Sequence, residues 1–420
     1  MEKFLVEKSR KIKGTINVEG AKNACLPILA ASILSNGKTI IKRVPFLSDV
    51  NIMCSLLQDI GIDINKNLKD KTIEIDTKNI FNKEVCYELV KKIRASFLLA
   101  GPLLARFGKV SIQMPGGCAI GVRPIDLHLK GFKALGANIN QKHGIIEIDA
   151  KNGLVGTEIY LDFPSVGATE NIIMASVLAK GETTISNCAT EPEIVDLIDF
   201  LNSMGAKIEG GGTETIKIKG VTSLNNCQHT IIPDRIEAGT FLVLGAATKG
   251  EISVLNVNCE HLKAVTSKLK EMNVEIEEKY NIIRVFGKNI FKNVDIKTMP
   301  YPGFPTDMQP QFMSLMSTIN GTSIINETIF ENRFMHVSEL GLMGANIKVE
   351  GNSAIINGVD KITGSKVKAT DLRAGAALII AGLCAEGVSE ISDIYHIERG
   401  YYNIEEKLKQ IGANIKRIDN

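Results

Sequence analysis

The chain has 420 residues, of which 44% are hydrophobic and 23% charged, as in an ordinary soluble globular protein. This length is large for one hydrophobic core and predicts two domains of about 200 residues each. A net charge of only +2, with no run of five or more like charges, argues against a nucleic-acid-binding surface.

The ends and the apolar stretches of the chain indicate a cytoplasmic protein. The opening residues, MEKFLVEKSRKIKG, lack the apolar core of a signal peptide, and the longest apolar stretches are too short to span a bilayer. The eight cysteines form no CxxC pair and have no matching histidine spacing. Neither a disulfide framework nor a zinc site is therefore expected.

A five-residue pattern recurs about every 70 residues along the chain. Each copy follows a segment with helical apolar spacing, such as EPEIVDLIDFLNSM, and places glycine or asparagine second. That second residue is predicted to end the helix in a left-handed conformation and release a strand. The copies are IGIDI at Ile60, LGANI at Leu135, MGAKI at Met204, MNVEI at Met272, MGANI at Met343 and IGANI at Ile411.

A second pattern, interleaved with the first, is an apolar helix rich in small residues that closes on a glycine and a β-like run. Few charges interrupt these helices, which is typical of buried, closely packed helices. The closing glycines are Gly37, Gly108, Gly181, Gly250, Gly321 and Gly387.

Together the two patterns predict an α/β fold of six repeated units. Each unit of about 70 residues is expected to run strand, buried helix, strand, amphipathic helix, strand, strand. Three units make each of two pseudo-equivalent domains, with a change-over near 225–233. A solenoid is the alternative, but buried helices need covering on all sides, which a solenoid does not give.

The residues before the six buried helices are polar, and several are cationic. Ordinary N-capping accounts for Ser165, Thr306 and Thr370. It does not account for the cations Lys22, Arg94, Arg235 and Arg373, because positive charge at a helix N-terminus is unfavourable. A bound anion would offset that cost.

Arginines also stand at the starts of three amphipathic helices, at Arg123, Arg333 and Arg399. As a recurring feature they indicate a distributed phosphate or carboxylate site. Asp307 and Asp371 lie in the same positive surroundings, and one of them could act as a base toward a substrate hydroxyl.

A glycine-rich stretch, PGGCAIGVRPIDL, places Cys118 five residues before Arg123. A guanidinium group nearby can lower the pKa of a thiol, which suits reaction with an anionic substrate. The alternative is a surface turn with an inert cysteine. No GxxxxGK[ST] occurs, and the GGG at 210–212 lacks the spacing of a dinucleotide-binding loop.

Ten segments taken together resemble the UDP-N-acetylglucosamine 1-carboxyvinyltransferase family. They are AKNACLP, RASFLLAGPL, PGGCAIGVRPIDLH, PSVGATEN, TEPEIVD, PDRIEAGTF, FPTDMQPQF, FENRFMHV, ATDLRAGAAL and YHIERGY. The resemblance implies a pair of inside-out α/β barrels. The first domain would span 22–229, and the second 1–21 plus 230–420, completed by the N-terminal strand.

The family reaction transfers the enolpyruvyl group of phosphoenolpyruvate to the 3′-hydroxyl of UDP-N-acetylglucosamine and releases phosphate, as the first committed step of peptidoglycan synthesis. The resemblance therefore implies two small-molecule substrates and no metal or other cofactor, since cationic side chains hold the phosphate. The alternatives are the shikimate-pathway enolpyruvyl transferase and a catalytically silent paralogue that binds nucleotide sugars.

The resemblance also implies roles for individual residues. Cys118 would donate a proton and form a covalent phosphoenolpyruvate adduct, and Asp307 would accept the proton of the sugar hydroxyl. Lys22, Arg123 and Arg399, with Asn23 beside Lys22, would hold phosphate and carboxylate. The residues that would hold the nucleotide sugar or complete its site are Arg94, Arg123, Pro124, Ile125, Asp126, Leu127, Ser165, Val166, Gly167, Ile329, Arg333 and Asp371.

The chain departs from the family pattern at one place: some members carry a lysine just before the Ser-Val-Gly segment, where this chain has Phe163 and Pro164. The glycines at 115–121 lead us to expect that this loop acts as a lid which orders when substrate binds.

Overall fold

The computed structural model describes residues 2–9, 11–81, 87–90, 93–114, 125–288 and 290–419. These residues divide into two compact units. The first unit contains residues 20–114 and 125–232, and the second contains the residues up to 19 together with 233–419. Among the described residues, the chain therefore changes unit after Glu19 and again after Ile232.

The described strands, in chain order, are β1 (Lys3–Glu7), β2 (Lys13–Asn17), β3 (Lys38–Lys42), β4 (Asp63–Asn67), β5 (Thr72–Asp76), β6 (Lys109–Gln113), β7 (Asn138–Lys142), β8 (Ile145–Asp149), β9 (Glu158–Tyr160), β10 (Glu182–Ser186), β11 (Lys207–Glu209), β12 (Thr215–Lys219), β13 (Gln228–Thr230), β14 (Glu251–Leu255), β15 (Glu275–Lys279), β16 (Ile282–Phe286), β17 (Ile296–Lys297), β18 (Gly321–Asn326), β19 (Asn346–Glu350), β20 (Ser353–Gly358), β21 (Lys366–Lys368), β22 (Val388–Ser392) and β23 (Asn414–Ile418).

The described α-helices are α1 (Lys22–Ala31), α2 (Ser48–Asp59), α3 (Tyr87–Val90), α4 (Ala100–Phe107), α5 (Asp126–Ala134), α6 (Val166–Ser176), α7 (Pro192–Ser203), α8 (Arg235–Ala247), α9 (Lys263–Glu271), α10 (Gln309–Met316), α11 (Val337–Leu342), α12 (Leu372–Cys384), α13 (Tyr395–Glu398) and α14 (Ile404–Gln410). Short 3-10 helices lie at Ser32–Leu34, Arg94–Leu99, Cys259–Leu262 and Thr306–Met308.

Within the described residues each unit contains three sheets. The strand orders are β13-β3-β5-β4, β6-β8-β7 and β11-β12-β10-β9 in the first unit, and β15-β16-β14-β2, β17-β18-β20-β19 and β21-β22-β1-β23 in the second. The five four-stranded sheets share one plan, in which one parallel pair is followed by two antiparallel pairs. The molecule is thus a mixed α/β protein with a repeated sheet.

Three of the described strands pair with strands that lie far from them in the sequence. β1 lies between β22 and β23 and pairs antiparallel with both, so the N-terminal strand completes the last sheet. β2 pairs in parallel with β14, and β13 pairs in parallel with β3. In each of those two parallel pairs, a strand therefore joins a repeat distant from it in sequence.

The strands follow the alternation that a one-sided sheet requires. In β12 the isoleucines at 216 and 218 are buried, whereas Lys217 and Lys219 are exposed. The apolar helices α1, α6, α8, α10 and α12 are instead buried along almost their whole length, as their composition predicts. Small residues allow this packing: a Cβ at Gly375 of α12 would come within 2.3 Å of Ile397.

The predicted helix-ending residues adopt the left-handed conformation. The φ angles are positive at Gly61, Gly136, Gly205, Asn273, Gly344 and Gly412. This confirms that the five-residue pattern marks where each amphipathic helix ends and the next strand begins.

The described part of the chain contains no helix of sufficient length and apolarity to cross a membrane.

Candidate active site

Cys118, Arg123 and Pro124, and with them the predicted lid at 115–121, lie outside the residues that the structure describes. The six cysteines that it does describe form no disulfide with one another. Burial raises the pKa of Cys25 well above its ordinary value and that of Cys54 to about 11. These two thiols are therefore poor acids and poor nucleophiles near neutral pH.

Lys22 begins α1 and is buried, with 8% of its side chain exposed. Its Nζ donates a hydrogen bond to Oδ2 of Asp49, in the first turn of α2, at 3.1 Å. The negative charge of Asp49 offsets the unfavourable interaction of Lys22 with its own helix N-terminus. Asp49 is thus one group that balances the charge of Lys22, and the sequence did not reveal this partner. Asn23, the next residue, is exposed.

Ser165, Val166 and Gly167 form the start of α6. Ser165 is the N-cap, and its Oγ accepts a hydrogen bond from the N–H of Ala168 at 3.4 Å. Val166 and Gly167 are the first residues of the helix, where N–H groups lack an acceptor within the helix and favour an anion.

His128 on α5 lies beside these residues and is not among the predicted site residues. Its ring meets that of Phe97 edge-on, with centroids 5.1 Å apart. A Cβ at Gly167 would lie 3.3 Å from its Cε1. Burial and, after it, the charge of Arg94 lower the pKa of His128 to about 3, so the ring is neutral at pH 7. Arg94 therefore lies close enough for its charge to act on the His128 ring, and the ring lies against the start of α6.

The hydrogen bonds of Asn171 assign the tautomer of that ring. The N–H of Gly101 donates to Asn171 Oδ1, so Asn171 Nδ2 is the donor to His128 Nδ1 at 2.9 Å. The ring proton therefore belongs on Nε2.

The remaining predicted residues of the first unit surround the start of α5. Ile125 is the residue before the helix, Asp126 is its exposed first residue, and Leu127 is half-buried.

Asp307 is the centre of a charged cluster in the second unit. Its Oδ1 accepts a hydrogen bond from Arg333 at 3.0 Å, and its Oδ2 accepts two from Arg373, at 3.1 and 3.2 Å. The arginine side chains are only 1% and 2% exposed, whereas Asp307 is 27% exposed. Burial, the largest single effect, would lower the pKa of Arg373, but the interactions with Asp307, Tyr401 and Asp234 together outweigh it and the net shift is upward. The cluster is thus a fixed carboxylate with one accessible side.

Asp371 belongs to the same cluster. It caps α12 by accepting hydrogen bonds from the N–H groups of Arg373 and Ala374, at 2.8 and 3.1 Å, and lies 3.7 Å from Arg333. His336 is fully buried nearby. Burial lowers its pKa to about 4; Arg333 acts in the same direction and Asp371 opposes it.

Ile329 and Arg399 occupy other segments of the second unit. Ile329 is half-buried in the loop after β18, and its N–H donates to Glu327 at 2.9 Å. Arg399 is half-buried at the end of α13 and contributes, after burial, to the lowered pKa of His396.

The structure therefore gathers Asp307, Arg333 and Asp371 into one cluster, and places His128 against Gly167 within range of the charge of Arg94. Arg373 and His128 are the neighbours that the set of predicted site residues lacked. The sequence did single out Arg373 as a cation at the start of α12, but it did not show that Asp307 is the partner of this arginine. For His128, no spacing in the sequence signals the contact with Asn171.

Known proteins similar to this chain match it over nearly its full length. A family model described as EPSP synthase (3-phosphoshikimate 1-carboxyvinyltransferase) matches residues 6–408. The UDP-N-acetylglucosamine 1-carboxyvinyltransferase 1 of Caldanaerobacter subterraneus subsp. tengcongensis is 58% identical over 415 residues, 99% of each chain. The protein of the same name from Staphylococcus aureus (strain MRSA252) is 52% identical over 420 residues, the whole of both chains.

Solved structures share the fold. The enolpyruvyl transferase NikO from Streptomyces tendae superposes with a TM-score of 0.91 over 99% of each chain, at 23% identity. An EPSP synthase from Acinetobacter baumannii superposes with a TM-score of 0.79 over the whole of both chains, at 17% identity. At these identities the likeness establishes the fold alone.

Proposed function

We infer the function of this chain from its family: it belongs to the EPSP synthase family and, within it, to the UDP-N-acetylglucosamine 1-carboxyvinyltransferases. It transfers the enolpyruvyl group of phosphoenolpyruvate to the 3′-hydroxyl of UDP-N-acetylglucosamine, releasing phosphate, in peptidoglycan synthesis. The observation that carries this inference is 58% identity over 99% of both chains.

Asp307 is the base in this proposal. Two buried guanidinium groups hold its carboxylate, and charge-assisted hydrogen bonds of this kind stabilise the ionised form. The 27% exposure of the side chain leaves room for a sugar hydroxyl within hydrogen-bond reach. Asp307 accepts the proton of the 3′-hydroxyl while the oxygen of that hydroxyl attacks C2 of phosphoenolpyruvate.

Cys118 is the acid. It delivers a proton to the C3 methylene as the new C–O bond forms at C2, which gives a tetrahedral intermediate. The bond from C2 to the phosphate oxygen then breaks and inorganic phosphate leaves, while the Cys118 thiolate takes a proton back from C3, so the enolpyruvyl group remains joined to the 3′-oxygen of the sugar. The same thiol can add to C2 and form the covalent adduct implied by the resemblance.

Lys22, Arg123 and Arg399 hold the phosphate and carboxylate of phosphoenolpyruvate, with Asn23 beside them. Support comes from Lys22: its pairing with Asp49 holds the ammonium group at the N-terminus of α1, where N–H groups also favour anions. Cationic side chains at fixed positions stabilise charge that develops on the leaving phosphate.

The nucleotide sugar is held by three segments. These are Arg94, the run from Arg123 to Leu127, and the start of α6 from Ser165 to Gly167. Support comes from the helix N-terminus, which favours a diphosphate, and from the fixed Nε2 proton of His128. The resemblance also assigns Ile329, Arg333 and Asp371 of the second unit to binding of the nucleotide sugar. Phe163, which is exposed, and Pro164 stand just before the Ser-Val-Gly segment, where the resemblance places a lysine in some members of the family.

The repeated sheets support a six-unit inside-out barrel, three units to a domain. We assign 22–229 to the first domain and 1–21 with 230–420 to the second. We propose that the two small-molecule substrates are phosphoenolpyruvate and UDP-N-acetylglucosamine, and that the reaction takes place in the cytoplasm.

The deciding experiment measures phosphate release from phosphoenolpyruvate at neutral pH, with and without UDP-N-acetylglucosamine. We expect release to require the nucleotide sugar and to fall about 100- to 10,000-fold in Cys118→Ala. Cys259→Ala, a half-buried cysteine in the second unit, is the matched control and should retain activity. If the wild-type protein binds the nucleotide sugar but releases no phosphate, it is a catalytically silent paralogue. If phosphate release requires shikimate 3-phosphate, the protein is the shikimate-pathway enolpyruvyl transferase.

A further inference from the structure

Glu327 is a buried carboxylate directly after β18, with 3% of the residue exposed. Its Oε1 accepts hydrogen bonds from Thr298 Oγ1 at 2.9 Å, the N–H of Ile329 at 2.9 Å and the N–H of Phe330 at 3.3 Å. Its Oε2 accepts one from Thr306 Oγ1 at 2.9 Å. The carboxylate is therefore surrounded by four neutral donors.

Burial of a carboxylate among neutral groups is costly, even when hydrogen bonds compensate for lost hydration. A loop that only needed closing could use a neutral Gln or Asn at this position. A carboxylate can accept hydrogen bonds on both of its oxygens. We therefore infer that Glu327 is needed to hold two separate segments of the chain, one with each oxygen.

Each oxygen of Glu327 accepts hydrogen bonds from a segment that carries a proposed site residue. Oε1 shapes the turn that contains Ile329, and Oε2 holds the side chain of Thr306, which directly precedes Asp307. The carbonyl of Thr306 also accepts hydrogen bonds from Arg333, at 3.3 and 3.4 Å. Thr306 is thus held from both sides, by Glu327 and by Arg333.

We propose that Glu327 is a positioning residue that sets the distance between Asp307 and the Ile329 turn, so that the sugar hydroxyl is presented to the base. This proposal rests on the function inferred above, in which Ile329 contacts the sugar and Asp307 takes its proton. Glu327 itself touches neither substrate.

Thr306→Val tests the connection most directly. Valine keeps the β-branched shape and leaves the three hydrogen bonds to Oε1 intact, while it removes the attachment of Oε2. Displacement of a reacting group by about 1 Å can cost about 100-fold in rate. We expect kcat to fall about 10- to 100-fold, and KM for phosphoenolpyruvate to stay within about twofold of wild type.

Three further variants separate positioning from stability. Thr306→Ser restores the hydroxyl and should recover kcat to within about threefold of wild type. Glu327→Gln keeps an acceptor for the turn but places an amide NH₂ against Thr306, and should give an intermediate kcat. Thr328→Val is the matched control, because this exposed threonine of the same turn donates to the Thr298 carbonyl and makes no bond to Glu327; its kcat should be unchanged.

Steady-state kinetics of phosphate release at 25 °C, with thermal melting of each variant, decide the matter. The proposal is overturned if Thr306→Val melts at a lower temperature but keeps wild-type kcat, or if Thr306→Ser fails to recover it. A wild type that releases no phosphate overturns the inferred function and this proposal together. An active wild type with an equally active Thr306→Val overturns only the proposal.

Discussion

Asp307 illustrates how two buried cations can fix a carboxylate while one side of it stays accessible. Replacing it with asparagine keeps an acceptor for the guanidinium groups but removes the base. We expect Asp307→Asn to lower kcat about 100- to 10,000-fold, with UDP-N-acetylglucosamine affinity within a few-fold of wild type. Kinetics and titration calorimetry measure the two quantities. If Asp307→Asn kept a kcat near that of the wild type, Asp307 would not be the base.

His336 should make the stability of the protein depend on pH. Its pKa falls from 6.5 to about 4 on folding because it is buried, so between these values the unfolded chain binds a proton that the folded chain does not. The free energy of unfolding therefore decreases as pH falls from 6.5 to about 4, by an amount on the order of 3 kcal/mol.

Urea titrations at pH 7 and pH 4.5 measure this dependence. His336→Gln cannot titrate and should lose less stability than the wild type over that interval. Equal losses in the two proteins would show that other groups, such as carboxylates, account for the whole effect.

At the scale of a helix, two glycines in the last two repeats should respond oppositely to alanine. Gly412 ends α14 with φ +88°, and Gly341 lies inside α11 without a positive φ; an added Cβ meets nothing within 4 Å at either position. Gly412→Ala should destabilise by about 1–2 kcal/mol because of backbone strain. Gly341→Ala should stabilise by about 0.5–1 kcal/mol through helix propensity.

Thermal melting of the two single variants tests this contrast, since no neighbouring atom complicates either substitution. If Gly412→Ala were neutral, the left-handed residue would not be what ends that helix.

At the scale of the whole molecule, β1 joins the two ends of the chain in one sheet. Phe4 is fully buried on one face of that strand, and Leu5, on the other face, is half-buried. Phe4→Ala should cost about 3–5 kcal/mol, and Leu5→Ala, its control, about 1 kcal/mol. Calorimetry of both variants measures the difference. Equal costs would mean that β1 is not held by the core of the second unit.

The amino-acid sequence alone determined the repeat, the helix ends and the family. These features are local or recurrent: a left-handed residue must follow each amphipathic helix, and asparagine at 273 satisfies the same backbone requirement as glycine. Apolar composition likewise identified the buried helices, because a helix that has no polar face and is too short to span a bilayer is stable only inside the protein core.

Only the tertiary structure decided which distant partners meet. The exchange of β2 and β13 between repeats, and the pairs formed by Asp307 with Arg373 and by His128 with Asn171, depend on residues far apart in the chain. Periodicity shows which face of an element is buried but carries no information about what lies against it. A polar residue such as Glu327 acquires its role only when packing brings its four donors together.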